Sequence, residues 1–300
     1  MIDLQVNGFA GVDFNSDELK GEDLLRAAMA LKDIGVQKFL PTLITAPLDK
    51  MRSRAAKLAR LLEENEELNE IIPGIHLEGP FISTEDGYRG AHPLAGIQFA
   101  DLETVKELQE SCAGKLLLFT LAPEQDKRGE VTKFLTNLGV VVAAGHTNAS
   151  RDQLKNAIDC GLQMFTHLGN ACPPQLPRHD NIIQRVLSLS DKLWISYIAD
   201  DLHLPFFVLK NLLNTAGYSR SVIVSDAISA AECKAGFYTL GDQSIEIKED
   251  GVSQSADGSH LIGSTTSLAT MYQNLINNLG LTKEQAEELT FSNPSQILGL

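Results

Sequence analysis

The sequence predicts an α/β protein in which all 300 residues form a single (β/α)8 TIM-type barrel. Eight short apolar or β-branched runs recur along the chain, and each is followed by a segment whose apolar residues have helical spacing. No Gly/Ser-rich linker separates these units, and barrels of this length routinely fold as one domain. We therefore favour a closed parallel barrel over an open doubly wound sheet.

Each predicted strand is one of these runs of Val, Ile, Leu and Phe. In order they are Ile2–Val6, Lys38–Ile44, Ile71–Leu77, Lys115–Leu121, Val140–Ala144, Gln163–Thr166, Leu193–Ala199 and Val222–Ser225. The predicted helices lie between and after the strands and carry apolar residues three and four positions apart. They are Gly21–Ile34, Leu48–Leu68, Leu102–Ser111, Gly129–Leu138, Ser150–Cys160, Ile182–Leu189, Pro205–Thr215 and Thr265–Leu279.

Two local patterns complete the prediction of the fold. The turn after the first strand, Val6–Gly11, has the sequence VNGFAG, which matches the dinucleotide-binding pattern GxGxxG poorly because no helix begins directly after it. Between the eighth strand and the last helix, Phe237–Gly263 predicts one or two β-hairpins. We expect the barrel to carry this hairpin insertion at about residues 235–262.

The composition excludes several classes of protein. Hydrophobic residues make up 43% and charged residues 21% of the chain, as in ordinary folded domains. The formal charge of −14 argues against nucleic acid as a partner, because phosphate backbones bind basic surfaces. No run is long and apolar enough to span a membrane, and the start MIDLQVNG lacks the features of a signal peptide, so we expect a cytoplasmic protein. The four cysteines contain no CxxC pair, which disfavours a disulfide framework or a thiolate zinc site.

Ionisable residues directly follow most of the predicted strands. In a (β/α)8 barrel the chemistry takes place at the carboxyl ends of the strands. Five of the eight strands end in a residue that could bind a metal or transfer a proton, namely Glu78, His146, His167, His203 and Asp226. A single histidine at such a position is more often a hydrogen-bonded core residue, but the joint placement of all five favours a functional site.

Three of these residues are the predicted metal ligands: Glu78, His146 and His167. One carboxylate and two imidazoles from three strands can leave a fourth position open, which is the arrangement that catalytic zinc prefers. Asp226 follows the apolar run VIVS, and a buried carboxylate there needs a metal, a partner or a raised pKa. A general base for an attacking water satisfies this need, and the alternative is an N-cap for the next segment.

The motifs around these residues resemble those of the N-acetylglucosamine-6-phosphate deacetylase family, within the amidohydrolase superfamily. They occur in the family order over nearly the whole chain. The matching motifs are HLEGPFI (His76–Ile82), RGAH (Arg89–His92), GHTNAS (with His146), THLGNA (Thr166–Ala171), ADDLH (Ala199–His203), VSDAIS (Val224–Ser229) and LIGST (Leu261–Thr265). HLEGP, GHTNAS and the aspartate after the eighth strand are specific as a set, although other amidohydrolases share the barrel and that aspartate.

The resemblance implies a metal-dependent amide hydrolase that removes the N-acetyl group from an amino-sugar phosphate, in particular N-acetylglucosamine-6-phosphate. The products are acetate and the amino sugar phosphate. Many amidohydrolases carry HxH at the end of the first strand, whereas this chain has Gln5 and Asn7, which are poor zinc ligands. The resemblance therefore implies one divalent ion per chain, Zn²⁺ by preference, held by the three ligands named above, while Asp226 takes and returns the proton.

The resemblance also implies a set of substrate-binding residues. They are Ala91, His92, Asn170, Ala171, Arg178, His203, Leu261, Ile262 and Gly263. In the family the arginine and the histidine of the strand-seven motif hold the sugar phosphate, and the arginine comes from the neighbouring subunit of a homodimer. We therefore expect a homodimer in which Arg178 reaches the partner's site, where a guanidinium can bind phosphate bidentately.

Three features depart from the family pattern. Gly169 stands where the family usually has a bulky or aromatic residue, and Asp201 stands where it usually has glycine. A carboxylate at position 201 that faced the site would repel a phosphate. Family members also carry a small β-sandwich built from both ends of the chain, whereas this sequence starts on strand one, so we expect a barrel without that sandwich.

Two other functions stay open at the level of the sequence. Gly169 and Asp201 are compatible with an amidohydrolase that acts on another N-acyl or cyclic amide substrate. A non-catalytic barrel used for binding or regulation is disfavoured by the intact metal set and by Asp226. These residues do not determine the sugar epimer or whether the phosphate is required.

Overall fold

Eight parallel strands form the central sheet in the computed structural model, which describes residues 1–247, 252–254 and 261–300. The described strands, in chain order, are β1 (Ile2–Val6), β2 (Gly8–Phe9), β3 (Val12–Asp13), β4 (Lys38–Ile44), β5 (Ile75–Glu78), β6 (Leu116–Leu121), β7 (Val141–Ala144), β8 (Met164–Phe165), β9 (Trp194–Tyr197), β10 (Ser221–Ile223), β11 (Gly236–Leu240), β12 (Gln243–Ile247) and β13 (Ser253–Gln254). β1 and β4 to β10 are hydrogen-bonded in sequential order, which confirms the predicted TIM-type barrel.

The barrel closes at its carboxyl end between β1 and the residues that follow β10. Val6 and Ala227 form a parallel bridge, and the N–H of Asp226 donates to the carbonyl of Gln5 at 3.0 Å. The N–H of Asn7 donates to the carbonyl of Ala227 at 2.7 Å. Closure therefore brings the residues that follow the first and the last barrel strand into direct contact.

Helices cover the outside of the barrel and alternate with its strands. They are α1 (Gly21–Asp33), α2 (Leu48–Glu64), α3 (Glu66–Ile71), α4 (Leu102–Ser111), α5 (Glu130–Asn137), α6 (Arg151–Asp159), α7 (Ile182–Leu187), α8 (Phe206–Ala216), α9 (Leu268–Asn277), α10 (Lys283–Glu287) and α11 (Asn293–Leu298). α1 buries Leu24, Ala27, Ala28 and Leu31, whose spacing places them on one face. Among the described helices, none is both long and apolar enough to cross a membrane.

The structure corrects three details of the predicted elements. The run Ile71–Leu77 is a strand only from Ile75, because helix α3 extends to Ile71 and the Pro-Gly pair at 73–74 separates the two. The predicted helix Leu48–Leu68 is interrupted at Asn65, whose side chain accepts the N–H of Leu68 and so begins a new helix. Helices α10 and α11 were not predicted at all.

An antiparallel sheet follows β10 where the sequence predicts hairpins. β11 pairs with β12, and β13 pairs with β12 on its other side; residues 248–251 and 255–260 of the predicted insertion lie outside the described part of the chain. Side chains of this sheet pack with loop residues in a second, smaller hydrophobic cluster. It comprises Ile44, Ile228, Ala230, Leu240, Ile245, Ile247 and Ile262.

One buried arginine fastens the turn of this hairpin to the barrel. The guanidinium of Arg54, which is 4% exposed, contacts Asp17 at 2.7 Å and Asp242 at 3.2 Å. Asp13 accepts the N–H of Gly241 at 2.8 Å in the same turn. The hairpin is thus held by charge-assisted contacts to α2 and to Asp13 at the end of β3.

We expect Arg54→Met to lower the free energy of unfolding by about 1–2 kcal/mol, because Asp17 and Asp242 lose a buried partner while the apolar stem keeps part of its packing. Arg26→Met is the matched control. Arg26 is 60% exposed, so its ion pair with Asp23 contributes less than about 0.5 kcal/mol to the free energy of unfolding. Urea denaturation of both variants tests this, and equal stabilities would contradict the anchoring role.

Candidate active site

A cavity of about 730 Å³ opens at the carboxyl end of the barrel. All five ionisable residues that the sequence analysis placed at strand ends line it. Its lining includes Asn7, Glu78, His92, His146, His167, Asn170, His203 and Asp226. The volume is within the usual range for small-molecule sites.

The carboxylate of Glu78 lies at the centre of this group. Its Oε1 is 3.2 Å from Nε2 of His146 and 3.1 Å from Nε2 of His167, and its Oε2 is 3.6 Å from Nε2 of His92. All four side chains are buried, with exposures of 7% or less. Ligand atoms from four different strand ends and loops therefore meet around one carboxylate.

Three of the site residues have left-handed backbone conformations. φ is +50° at His146, +33° at His167 and +49° at Asp226. Non-glycine residues rarely adopt such angles, and they persist only where the surrounding structure enforces them. Each of these residues lies two or three positions after the end of a barrel strand, where the chain has to leave the barrel.

Charge complementarity governs the protonation of this cluster. Burial opposes ionisation of Glu78, but the charge and hydrogen bond of His146 outweigh it and hold its pKa well below the usual value. Burial alone would lower the pKa of His167, yet its hydrogen bond to Glu78 raises it overall. For His92, burial dominates and the charge of His146 adds to it, which lowers its pKa to about 4.

The hydrogen bonds of the two histidines distinguish their possible roles. Nδ1 of His92 lies 3.3 Å from the backbone N–H of Thr45 and accepts it, so the proton of the neutral ring is on Nε2. Nδ1 of His146 instead lies 3.2 Å from the carbonyl oxygens of Tyr88 and Arg89 and donates to them. Nε2 is then the nitrogen left for a metal, which would replace the proton that Nε2 donates to Glu78. His146 is therefore set up to ligate a metal through Nε2, and His92 to donate a hydrogen bond.

The residues present fit a divalent cation. Ligand atoms of Glu78, His92 and His146 lie within 4.8 Å of one another, and Nε2 of His167 lies against the same carboxylate oxygen as His146. Nitrogen and carboxylate oxygen donors of this kind suit zinc and similar ions. His92, which the sequence analysis took for a substrate-binding residue, thus lies closer to the metal-binding group than expected.

The two amides that replace the expected histidines on β1 hold the carboxylates of the site. Nε2 of Gln5 donates to Oε1 of Glu78 at 2.9 Å, and Nδ2 of Asn7 donates to Oδ1 of Asp226 at 2.7 Å. As hydrogen-bond donors they orient the ionisable groups beside them.

Asp226 is a buried carboxylate at the edge of this cluster. Burial raises its pKa, and the negative charge of Glu78 raises it further. The residues directly after Asp226 form a bridge and turns and not a helix, so it is not an N-cap, the alternative that the sequence left open. Its position and its raised pKa fit a general base.

The predicted substrate-binding residues divide into three groups. Ala91, Asn170, Ala171, His203, Leu261 and Gly263 line the cavity together with His92. Ile262 is 3% exposed and packs in the second hydrophobic cluster, so only its backbone could face a ligand. Arg178 is exposed and does not line the cavity of its own chain.

The two departures from the family pattern have local explanations. Asp201 is exposed, and its Oδ1 accepts the N–H of Phe206 at the start of α8, outside the cavity. Asp201 therefore does not repel a phosphate in the cavity, as a carboxylate that faced inward would. Gly169 has φ of +96°, and a Cβ there would lie 2.7 Å from Cδ2 of Leu204, so Leu204 occupies the space that a larger residue would need.

Two carboxylates that support the site, one partly buried and one buried, were not predicted from the sequence. Glu124 accepts the N–H of Asn148 at 2.9 Å and the hydroxyl of Thr147, and so holds the loop that follows His146. Asp200 accepts Nδ1 of His203 at 2.6 Å. The spacing of Asp200 and His203, three residues apart in ADDLH, was the available signal.

The chain is similar to deacetylases of known name. Over its whole length it is 32% identical to the N-acetylglucosamine-6-phosphate deacetylase of Bos taurus, of which it covers 73%. It is 29% identical to the N-acetylgalactosamine-6-phosphate deacetylase of Escherichia coli O157:H7, again over its whole length and covering 77% of that protein. No protein-family model matches the chain.

A solved structure is similar over the whole fold. The structure of a variant of N-acetyl-D-glucosamine-6-phosphate deacetylase from Mycobacterium smegmatis, in complex with N-acetyl-D-glucosamine-6-phosphate, superposes with a TM-score of 0.89. The two chains are 28% identical, and the match covers all of this chain and 77% of the other. The likeness therefore extends to the entire barrel.

We expect Gln5→Leu to weaken divalent metal binding tenfold to a hundredfold, because Glu78 loses the amide that orients its Oε1. Asn7→Leu is the matched control, since Asn7 contacts Asp226 and not Glu78. Competition with a chromophoric chelator measures both affinities, and an equal loss in the two variants would contradict a specific role of Gln5.

Asp3, which is buried below the site, predicts a pH dependence of stability. Burial raises its pKa from 3.8 to about 7, although bonds from Ser225 and Gln5 oppose the shift. The folded protein therefore holds this proton more tightly than the unfolded chain, and the resulting stabilisation is complete below about pH 4 and lost as the pH rises through 7. Relative to Asp3→Asn, the free energy of unfolding of the natural protein should fall by at most about 4 kcal/mol across this range. Denaturant melts at several pH values test it, and a constant difference would refute it.

Proposed function

Because the chain belongs to the N-acetylglucosamine-6-phosphate deacetylase family, we propose that its cavity binds an N-acetyl amino-sugar 6-phosphate, with N-acetylglucosamine-6-phosphate as the first candidate. The chain is an amide hydrolase, and the reaction yields acetate and the amino sugar phosphate. The observation that carries the proposal is the convergence of Glu78, His146, His167 and Asp226 in one cavity at the carboxyl end of the barrel.

Glu78, His146 and His167 are the proposed ligands of one divalent ion, with Zn²⁺ as the preferred metal. When bound, such an ion polarises an amide carbonyl and lowers the pKa of a water molecule. The donating Nδ1 of His146 and the contacts of Glu78 with both imidazoles support this choice. His92, whose Nε2 carries a proton, is proposed to donate to the carbonyl oxygen of the substrate as negative charge develops on it.

Asp226 is the proposed general base and acid. Its carboxylate takes a proton from the attacking water while the water oxygen forms a bond to the amide carbon. It then gives that proton to the nitrogen as the carbon–nitrogen bond breaks. The resulting acetic acid loses its own proton to the amine, so acetate and the ammonium form of the amino sugar result. The raised pKa supports this role, because a stronger base near neutral pH accepts the proton more readily.

The phosphate end of the substrate is assigned to His203 and Arg178. His203 lines the cavity, while Arg178 is exposed on its own chain. An exposed arginine is available to a second subunit, so we propose a homodimer in which Arg178 of one chain pairs with the phosphate bound by the other. The outward position of Asp201 removes the main argument for a neutral or cationic substrate.

The galacto epimer is the second candidate substrate. The Escherichia coli relative named for N-acetylgalactosamine-6-phosphate is 29% identical over the same length, close to the value for the glucosamine enzyme of Bos taurus. Hydrolysis of a different N-acyl or cyclic amide is the remaining alternative within the superfamily.

Deacetylation assays on a metal-analysed preparation test the proposal. N-acetylglucosamine-6-phosphate, its galacto and manno epimers, the free sugars and an N-acetyl amino acid should be compared at equal concentration. We expect the highest kcat/KM for a sugar phosphate and one divalent ion per chain. Turnover of the amino acid derivative without turnover of any sugar phosphate would refute the proposal.

Asp226→Asn should lower kcat by two to four orders of magnitude while metal content stays near one ion per chain, because only the proton transfer is lost. Circular dichroism and elemental analysis serve as controls for folding and for metal binding. A variant with nearly normal turnover would mean that another residue is the base.

A further inference from the structure

Asp200 is a buried carboxylate next to the cavity that the proposed reaction does not use. Its side chain is 0% exposed. Its Oδ2 accepts Nδ1 of His203 at 2.6 Å and the hydroxyl of Ser264 at 3.0 Å. Its Oδ1 accepts the backbone N–H groups of Leu202 at 3.0 Å and His203 at 2.8 Å. Four donors therefore hold this carboxylate in one orientation.

The contact with Asp200 determines how His203 faces the cavity. Burial acts to raise the pKa of Asp200, but the hydrogen bond from His203 outweighs it, so the pKa lies below its usual value. An ionised carboxylate can only accept, so Nδ1 of His203 carries a proton. Nε2 is then the ring atom left for a ligand, and no hydrogen bond joins it to another described residue.

We propose that Asp200 is a positioning residue for the recognition of an anionic substrate, because its contact with Nδ1 fixes the orientation of the His203 ring and leaves Nε2 for the ligand. The inference rests on the proposed function, in which His203 contacts the phosphate monoester. Between a carboxylate and a phosphate, an imidazolium donates through both nitrogens. Such a contact selects for the anion, since charge-assisted hydrogen bonds are about twice as strong as neutral ones.

The hydroxyl of Ser264 links the same carboxylate to the other end of the site. Ser264 donates its N–H to the carbonyl of Asp226 at 2.9 Å and accepts the N–H of Ile228 at 3.0 Å. The loop that carries Gly263 is therefore aligned with Asp200 on one side and with the proposed base on the other.

Asp200→Asn tests the proposal in the metal-loaded enzyme. We expect kcat/KM for N-acetylglucosamine-6-phosphate to fall about tenfold to a hundredfold, mainly through KM, while kcat/KM for free N-acetylglucosamine changes less than about threefold. Asp201→Asn is the matched control, because it removes the same charge one residue away, at an exposed position. An unchanged preference for the phosphorylated sugar in Asp200→Asn, or an equal loss for both sugars, would overturn the positioning role.

His203→Gln separates this inference from the proposed function. If His203→Gln keeps the preference for the phosphorylated sugar, the phosphate contact itself is wrong. If His203→Gln loses the preference but Asp200→Asn keeps it, only the role of Asp200 is wrong. If the phosphate contact of His203 and the positioning role of Asp200 are both right, the double variant should lose no more of the preference for the phosphorylated sugar than His203→Gln alone. The reason is that the two changes act through one contact.

A measurement on the natural protein avoids any dependence on the folding of a variant. Long-range ¹H–¹⁵N correlation spectra report the protonation of each ring nitrogen of a histidine, and His203→Gln assigns the signal. We expect Nδ1 of His203 to carry a proton, because Asp200 accepts it at 2.6 Å. A ring that carries its proton on Nε2 alone would overturn the proposal.

Discussion

The buried carboxylate of Glu78 is the constraint on which the site depends. A charge enclosed in the barrel is costly unless partners surround it, and here Gln5, His92, His146 and His167 do so. These partners follow or belong to different strands, so their positions relative to one another are set by the barrel and not by local sequence. The same residues therefore serve stability and chemistry, because the groups that stabilise the buried carboxylate are also those that can bind a cation together with it.

The closure of the barrel completes this arrangement. β1 and the residue after it contribute two amides two positions apart, and the hydrogen bonds between Gln5, Asn7 and the residues after β10 bring Asp226 to the edge of the cluster. In amidohydrolases with histidines at these two positions, β1 supplies metal ligands, as the resemblance implies. In this chain β1 supplies donors, and each donor is matched to one carboxylate of the site.

The residues at the strand ends could be predicted from the sequence, because the order of the strands along the chain is also their order around the barrel. Glu78, His146, His167, His203 and Asp226 were found in this way. Side-chain direction could not be found, because it depends on contacts between distant segments. Asp201 faces α8, Asp200 faces His203, and the proton of His92 is placed by Thr45, and none of these follows from residue type or spacing. The element boundaries near Asn65 and Pro73 were missed because capping and turn geometry overrode the hydrophobic pattern.

The left-handed backbone at His146, His167 and Asp226 has a consequence for the evolution and engineering of this protein. Each such residue costs of the order of 1–3 kcal/mol, and glycine at the same position would relieve most of that cost while removing the functional group. The sequence that folds most stably is therefore not the sequence that retains the site. Selection for heat resistance alone would favour loss of the Asp226 side chain, whose charge burial opposes, whereas loss of His146 or His167 would leave the buried Glu78 without a partner. Any thermostability screen of this barrel therefore has to be coupled to a screen for function.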